Sequence, residues 1–89
     1  MKIAVFDTYV VRPDGRRMHF DILVHDQDDA KALDVVLDHG RRYLSAKGVP
    51  ADTLNARECR FCHTEIASTP VENEIKRIGF AIIELEHCD

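Results

Sequence analysis

The sequence contains few glycines and prolines, no long hydrophobic run and no surplus of basic residues. Its 4 glycines and 3 prolines are scattered, so the chain holds no low-complexity tract or linker. No apolar stretch approaches the roughly 18 residues that a membrane-spanning helix needs. The formal net charge of −4 leaves no dense basic surface for binding a phosphate backbone. We therefore expect neither a membrane nor a nucleic-acid partner.

Cysteine is also scarce, and the number of cysteines is odd. The chain has 3 of them, and residues 1–7 are too polar for the hydrophobic part of a signal peptide. Both observations favour free thiols in a reducing, cytoplasmic environment. A chain of 89 residues buries roughly 60 to 65% of its unfolded surface, enough to fold without a metal or a disulfide. We predict one domain over residues 1–89 and no cofactor.

The start of the chain predicts a β-hairpin. Residues 2–12 and 16–25 alternate apolar and polar side chains, and Pro13-Asp14-Gly15 between them is a turn sequence. A three-residue loop fixes the register, so that Val10 faces Met18. The pairing of the other residues of the two strands follows from this one pair. This register places one apolar set on the core face: Ala4, Phe6, Val10, Met18, Phe20, Ile22 and Val24.

Two segments predict helices. Apolar side chains recur at helical spacing over residues 27–47, where Asp26 is a candidate N-cap. Gly40 lies on that apolar stripe, and a glycine in a helix interior costs about 1 kcal/mol relative to alanine. We expect it to mark a close approach of the helix backbone to the sheet. A shorter helix follows the Ser68-Thr69 pair and ends at Gly79.

Two further segments predict strands. Residues 57–67 are of mixed character, whereas residues 80–86 begin with an apolar run that is typical of an interior strand. The predicted fold is α+β, with the order ββαβαβ. A right-handed crossover would make the last two strands parallel, giving a four-stranded mixed sheet with two helices packed on one face.

All the cysteines lie in two short motifs. Cys59-Arg60-Phe61-Cys62-His63 matches the c-type haem attachment pattern and half of a zinc site, and His87-Cys88 lies near the C-terminus. Haem attachment takes place after export, which a reducing compartment argues against. On a regular strand Cys59 and Cys62 point to opposite faces, so they share an ion only if a turn or bulge intervenes. We predict no metal here and a buried Cys62, and the zinc alternative combines Cys59, Cys62, His63, His87 and Cys88.

A polar set gathers on the hairpin face opposite the core. The register puts Asp7 opposite Asp21 and Tyr9 opposite His19 in the adjacent pair. Opposed carboxylates destabilise a sheet unless a cation, a shared proton or intervening water relieves them. His63 and Glu65, placed on one strand face with Cys59 and Phe61, would join this surface. The candidate ligand-binding residues are therefore Asp7, Tyr9, His19, Asp21, His63 and Glu65.

Several motifs resemble those of one uncharacterised family of small bacterial proteins, a domain of unknown function. They are Asp7-Thr8-Tyr9-Val10, Asp14-Gly15 with Met18-His19-Phe20-Asp21-Ile22, and Glu58-Cys59 with Phe61-Cys62-His63 and Glu65. The resemblance spans the whole chain. It implies no activity, cofactor or catalytic residue.

The sequence leaves three functions open. The first is a binding or interaction module, with a homodimer formed through the open sheet face by Ile3, Val5, Val11 and Leu23. The second is a metal-binding protein that uses the Asp7, Asp21 and His19 set or the Cys/His set. The third is a small enzyme with carboxylate and histidine acid-base chemistry, which an open face disfavours because it desolvates its groups weakly.

Overall fold

One β-sheet and two α-helices make up the computed structural model, which describes residues 1–89. The strands are β1 (Lys2–Val11), β2 (Arg17–His25), β3 (Cys59–Ile66) and β4 (Ala81–Glu86). The helices are α1 (Leu33–Ala46) and α2 (Thr69–Ile78), and 3-10 turns occupy Ala51–Thr53 and Ala56–Glu58. The α+β class and the order ββαβαβ are confirmed. None of the helices is long and apolar enough to cross a membrane.

The sheet is antiparallel throughout, in the strand order β3-β1-β2-β4. Val10 pairs with Met18 and Asp7 with Asp21, so the predicted hairpin register is confirmed. The predicted mixed sheet is wrong, because β3 and β4 lie on opposite edges and never pair. β4 is an edge strand and not an interior one. It is apolar on both sides because Ile82 packs towards α1 and Ala81 towards α2.

Helix α1 covers one face of the sheet, which we call the inner face. Its residues Val36, Leu37 and Leu44 pack on the predicted apolar set of the hairpin. Leu54, from the loop after α1, is fully buried in the same cluster. This cluster of 15 buried residues is the main core, and fully burying one such large side chain contributes roughly 1.5 to 3 kcal/mol.

Helix α2 covers part of the other, outer face, so the prediction of both helices on one face is wrong. Ile75 of α2 packs with Ile3, Val5, Leu23 and Ala81 in a second cluster. The two central strands carry apolar side chains on both faces at this end of the sheet, and each face needs its own helix to exclude water. Consequently Ile3, Val5 and Leu23 are only 0%, 2% and 3% exposed.

Helix α1 begins at Leu33, later than the predicted residue 27. The Asp26 carboxylate does not cap it, because it accepts a hydrogen bond of 2.8 Å from the Lys31 ammonium group. Residues 27–31 form a turn, and extended backbone at Ala32, with ψ of 134°, separates this turn from the helix. The acidic residues before the helix therefore belong to a separate turn.

Helix α2 has the predicted termini. The Ser68 hydroxyl accepts a hydrogen bond from the Val71 N–H at 3.4 Å, and Gly79 ends the helix in the left-handed conformation with φ of 94°. The N-terminal ammonium group pairs with Glu72 at 2.8 Å. These contacts fix α2 over one half of the outer face.

Gly40 lies where α1 packs closely against the sheet, as the sequence predicted. A Cβ atom at this position would stand 2.5 Å from Leu54 Cδ2 and 2.9 Å from Ile22 Cδ1. Both neighbours are fully buried, so neither can move without disturbing the main core.

We expect Gly40→Ala to destabilise the protein. Overpacking a core costs about 1 to 3 kcal/mol, against a gain of about 1 kcal/mol in helix propensity. The free energy of unfolding from urea denaturation should therefore fall. Ser45→Ala, at an exposed position of the same helix, is the control and should leave it within about 0.5 kcal/mol of wild type. A more stable Gly40→Ala variant would show that the contact is loose.

Candidate functional site

Two carboxylates and one imidazole converge on the half of the outer face that α2 leaves uncovered, which we call the open half. One donor atom from each of Asp7, His19 and Asp21 lies within 4.8 Å of the others. His19 Nε2 contacts Asp7 Oδ1 directly. Their side chains are partly shielded, with 18% of His19 and 36% of Asp7 exposed. We call these three residues the Asp-His-Asp cluster.

The environment of Asp21 disfavours its ionised form. Partial burial and then the facing charge of Asp7 raise the pKa of the Asp21 carboxyl group, against a smaller opposing effect of His19. A cation or a shared proton would relieve the repulsion between the two carboxyl groups. The geometry thus agrees with the carboxylate repulsion that the register predicted.

Tyr9 forms one wall of the open half. Its ring stacks on the His19 imidazole with centroids 4.1 Å apart and planes at 13°. The Arg17 guanidinium carbon lies 4.0 Å from the centre of the same ring. Stacking fixes the orientation of both neighbours, so the His19 ring has little freedom to turn away from the cluster.

His63 and Glu65 lie on the outer face but form a separate pair. His63 is opposite Val5 and Glu65 opposite Ile3, because β3 pairs with β1 and not with β2. The His63 Nε2 and Glu65 Oε1 atoms are 2.7 Å apart, and both side chains are half exposed. The Asp-His-Asp cluster therefore does not include them.

A β-bulge at Cys62 breaks the alternation that was expected for β3. Phe61 pairs with Phe6, whereas His63 pairs with Val5, so Cys62 has no partner on β1. Phe61 consequently faces the inner side, where its ring contacts Phe6 edge-on at 5.8 Å. The prediction that His63 and Glu65 share a face with Cys59 and Phe61 is wrong.

The cysteines and C-terminal residues do not converge. Cys59 is buried beneath the Thr8 hydroxyl, which lies 3.6 Å from its sulfur, and burial raises the pKa of this thiol. Cys62 is exposed, contrary to the prediction. Cys88 is buried in the main core, and His87 contacts the Arg17 carbonyl oxygen at 2.9 Å. In this structure only the Asp-His-Asp cluster gathers three metal-donor side chains.

Sequence reasoning missed the arginines beside the cluster. Arg17, Arg57 and Arg60 line a cleft of about 780 Å³ that Asp7 and Tyr9 also border. Arg60 pairs across the sheet with Asp7, a position that depends on the strand order and on the bulge. The place of Arg17 beside Tyr9 follows from the hairpin register and was accessible from the sequence.

Comparison with known proteins defines the family. The chain belongs to the family described as Domain of unknown function (DUF2024), which matches residues 1–85, so the resemblance inferred from the motifs is confirmed. The NMR structure of protein NE1680 from Nitrosomonas europaea, a structural genomics target, is similar over 100% of both chains, with 37% identity and a TM-score of 0.84. No curated protein matches the chain. The family description assigns no activity.

We expect Asp21→Asn to stabilise the protein at neutral pH. The folded-state pKa of Asp21 is raised, so its proton stabilises the fold at low pH and this contribution is lost as pH rises through the folded-state pKa. The amide variant avoids that loss. Its gain in melting temperature should grow as pH rises through the folded-state pKa and then level off.

Melting curves of the two proteins between pH 3 and pH 8, with NMR titration of the Asp21 carboxyl carbon, measure this effect. Asp28→Asn, at an exposed position, is the control. An ordinary titration of Asp21 and a gain independent of pH would contradict the prediction.

Proposed function

We propose that this protein binds a divalent metal ion through Asp7, His19 and Asp21. The observation that carries the proposal is the approach of three donor atoms to within 4.8 Å of one another. A first-row ion with bonds of about 2.0 to 2.2 Å would bridge such donors after small side-chain rotations. It would also neutralise two carboxylates that otherwise repel each other.

The donor set favours a transition-metal ion over magnesium or calcium. Imidazole is a good ligand for zinc, iron, nickel and copper, whereas magnesium and calcium prefer oxygen ligands alone. Tyr9 stacks on the His19 ring and would hold it in place for the ion. Three protein ligands on an open face leave coordination positions for water or for a bound ligand.

Metal titration by calorimetry tests this proposal. Zinc or nickel should bind one per chain and raise the melting temperature, since an ion at 100 times its dissociation constant adds about 2.7 kcal/mol of stability. His19→Gln and Asp21→Asn should each abolish this binding. The matched control is His63→Gln, which removes a histidine from the same sheet face but outside the cluster. Binding that survives in Asp21→Asn, or is lost in His63→Gln, would contradict the site.

Self-association through the outer face is a second proposal, now confined to the open half. Helix α2 buries Ile3, Val5 and Leu23, the residues on which the predicted dimer mainly depended. Val11 and Ile83 remain on the open half, at 61% and 39% exposure.

A cytoplasmic location also remains a proposal, supported by the three free thiols.

Sedimentation velocity at two concentrations tests the dimer. A dimer through the open half should dissociate in an Ile83→Lys variant, because a charge at a buried apolar contact is strongly unfavourable. The matched control is Leu33→Lys, which changes an exposed apolar side chain at the start of α1, the helix that covers the inner face. Wild type that stays monomeric at high concentration would exclude this interface.

A further inference from the structure

The largest cleft of the protein lies beside the Asp-His-Asp cluster and is basic. Its volume of about 780 Å³ is within the range of small-molecule sites, roughly 300 to 1,000 Å³. The turn segment before β3 and the start of β3 form one side, and the turn end of the hairpin forms the other. Arg57 and Arg60 come from the first side and Arg17 from the second.

None of the three guanidinium groups has a hydrogen-bond or ion-pair partner in the protein. Other arginines do, for example Arg16 with the Asp14 carboxylate at 3.0 Å and Arg41 with the Leu54 carbonyl oxygen. A guanidinium group presents planar N–H donors that match the oxygens of a phosphate or carboxylate. The unpaired donors of the cleft are therefore free for an external anion.

The two carboxylates that border the cleft already have partners. The Glu58 side chain accepts a hydrogen bond from the Asn55 N–H at 3.1 Å, and Asp7 contacts His19. Three positive side chains against two negative ones leave the cleft basic, in a protein whose net charge is −4. Arg17 is also held by its stacking on Tyr9 and needs no acidic neighbour.

From these contacts we propose that the cleft binds a phosphate monoester. Three guanidinium groups offer more N–H donors than the two oxygens of a carboxylate accept, whereas a phosphate group presents three terminal oxygens and up to two charges. His19 and Arg17 cover the two faces of the Tyr9 ring, so the Val11 side chain and the edge of the Tyr9 ring provide the apolar contact for the organic part. The site is independent of the proposed metal ion, although Asp7 borders both.

NMR titration with inorganic phosphate and with phenyl phosphate, both in the presence of a chelator, tests the proposal. We expect saturable shifts of the Arg17, Arg57 and Arg60 side-chain N–H signals, with phenyl phosphate binding more tightly because of its ring. Arg57→Gln and Arg60→Gln should each weaken binding about tenfold. These positions are exposed, and the variants should keep the wild-type amide spectrum.

The matched control is Arg42→Gln, an exposed arginine that also has no ion pair but lies against Phe80, away from the cleft. It should bind phenyl phosphate as wild type does. Equal weakening in Arg42→Gln, or shifts that never saturate, would overturn the proposal by showing only general attraction of anions to positive charge.

The Asp7→Asn variant distinguishes the proposed anion site from the proposed metal site. Removing a negative charge from the cleft wall should strengthen phosphate binding several-fold, while removing a metal ligand should abolish metal binding. Loss of metal binding without stronger phosphate binding would support the metal site and count against the anion site. Stronger phosphate binding in a protein that never bound metal would support the anion site alone.

Discussion

The pairing of β1 with β2 is the constraint on which the remaining structure depends. A three-residue loop fixes that register, and side chains alternate between faces, so one choice decides the position of every residue on both central strands. A shift of β2 by one residue would move its apolar set to the outer face and turn the Asp21 carboxylate into the main core. Stability and the arrangement of the candidate site therefore have the same origin.

Helix α2 covers only one half of the outer face and leaves the other half open. Apolar side chains of the central strands lie under the helix, whereas the Asp-His-Asp cluster lies outside it, where water and ligands have access. The covered half gives the site a rigid base, because the same two strands continue from the buried cluster into the open half. A site on two central strands is positioned more accurately than one on loops. The open half thus combines fixed geometry with exposure.

The sequence was sufficient for local features and insufficient for those that depend on distant contacts. Hairpin register, the termini of α2, and the close approach at Gly40 follow from turn, cap and packing chemistry, and each agrees with the structure. The start of α1 was misplaced because the Asp26 carboxylate binds a lysine side chain and does not cap the helix. Local acidity before a helix does not distinguish these two roles.

Strand order explains why the pairing of β3 and β4 was predicted wrongly. Periodicity shows that a segment is a strand, but it does not show which neighbour the strand pairs with, and here β3 and β4 took opposite edges. The Asp-His-Asp cluster was predictable because its members lie on one hairpin. The neighbouring Arg60 was not, because its position requires both the β1–β3 pairing and the bulge at Cys62.

Both edge strands carry an irregularity, at Cys62 in β3 and at Leu85 in β4. An exposed edge offers unpaired N–H and C=O groups that can template further strands, and long flat edges lead to fibrils. A bulge interrupts that row of groups and increases the local twist, so a second chain cannot extend the ladder in register. The bulge at Cys62, which also sets Arg60 beside Asp7, therefore makes β3 a poorer template for ordered aggregation than a regular edge strand would be.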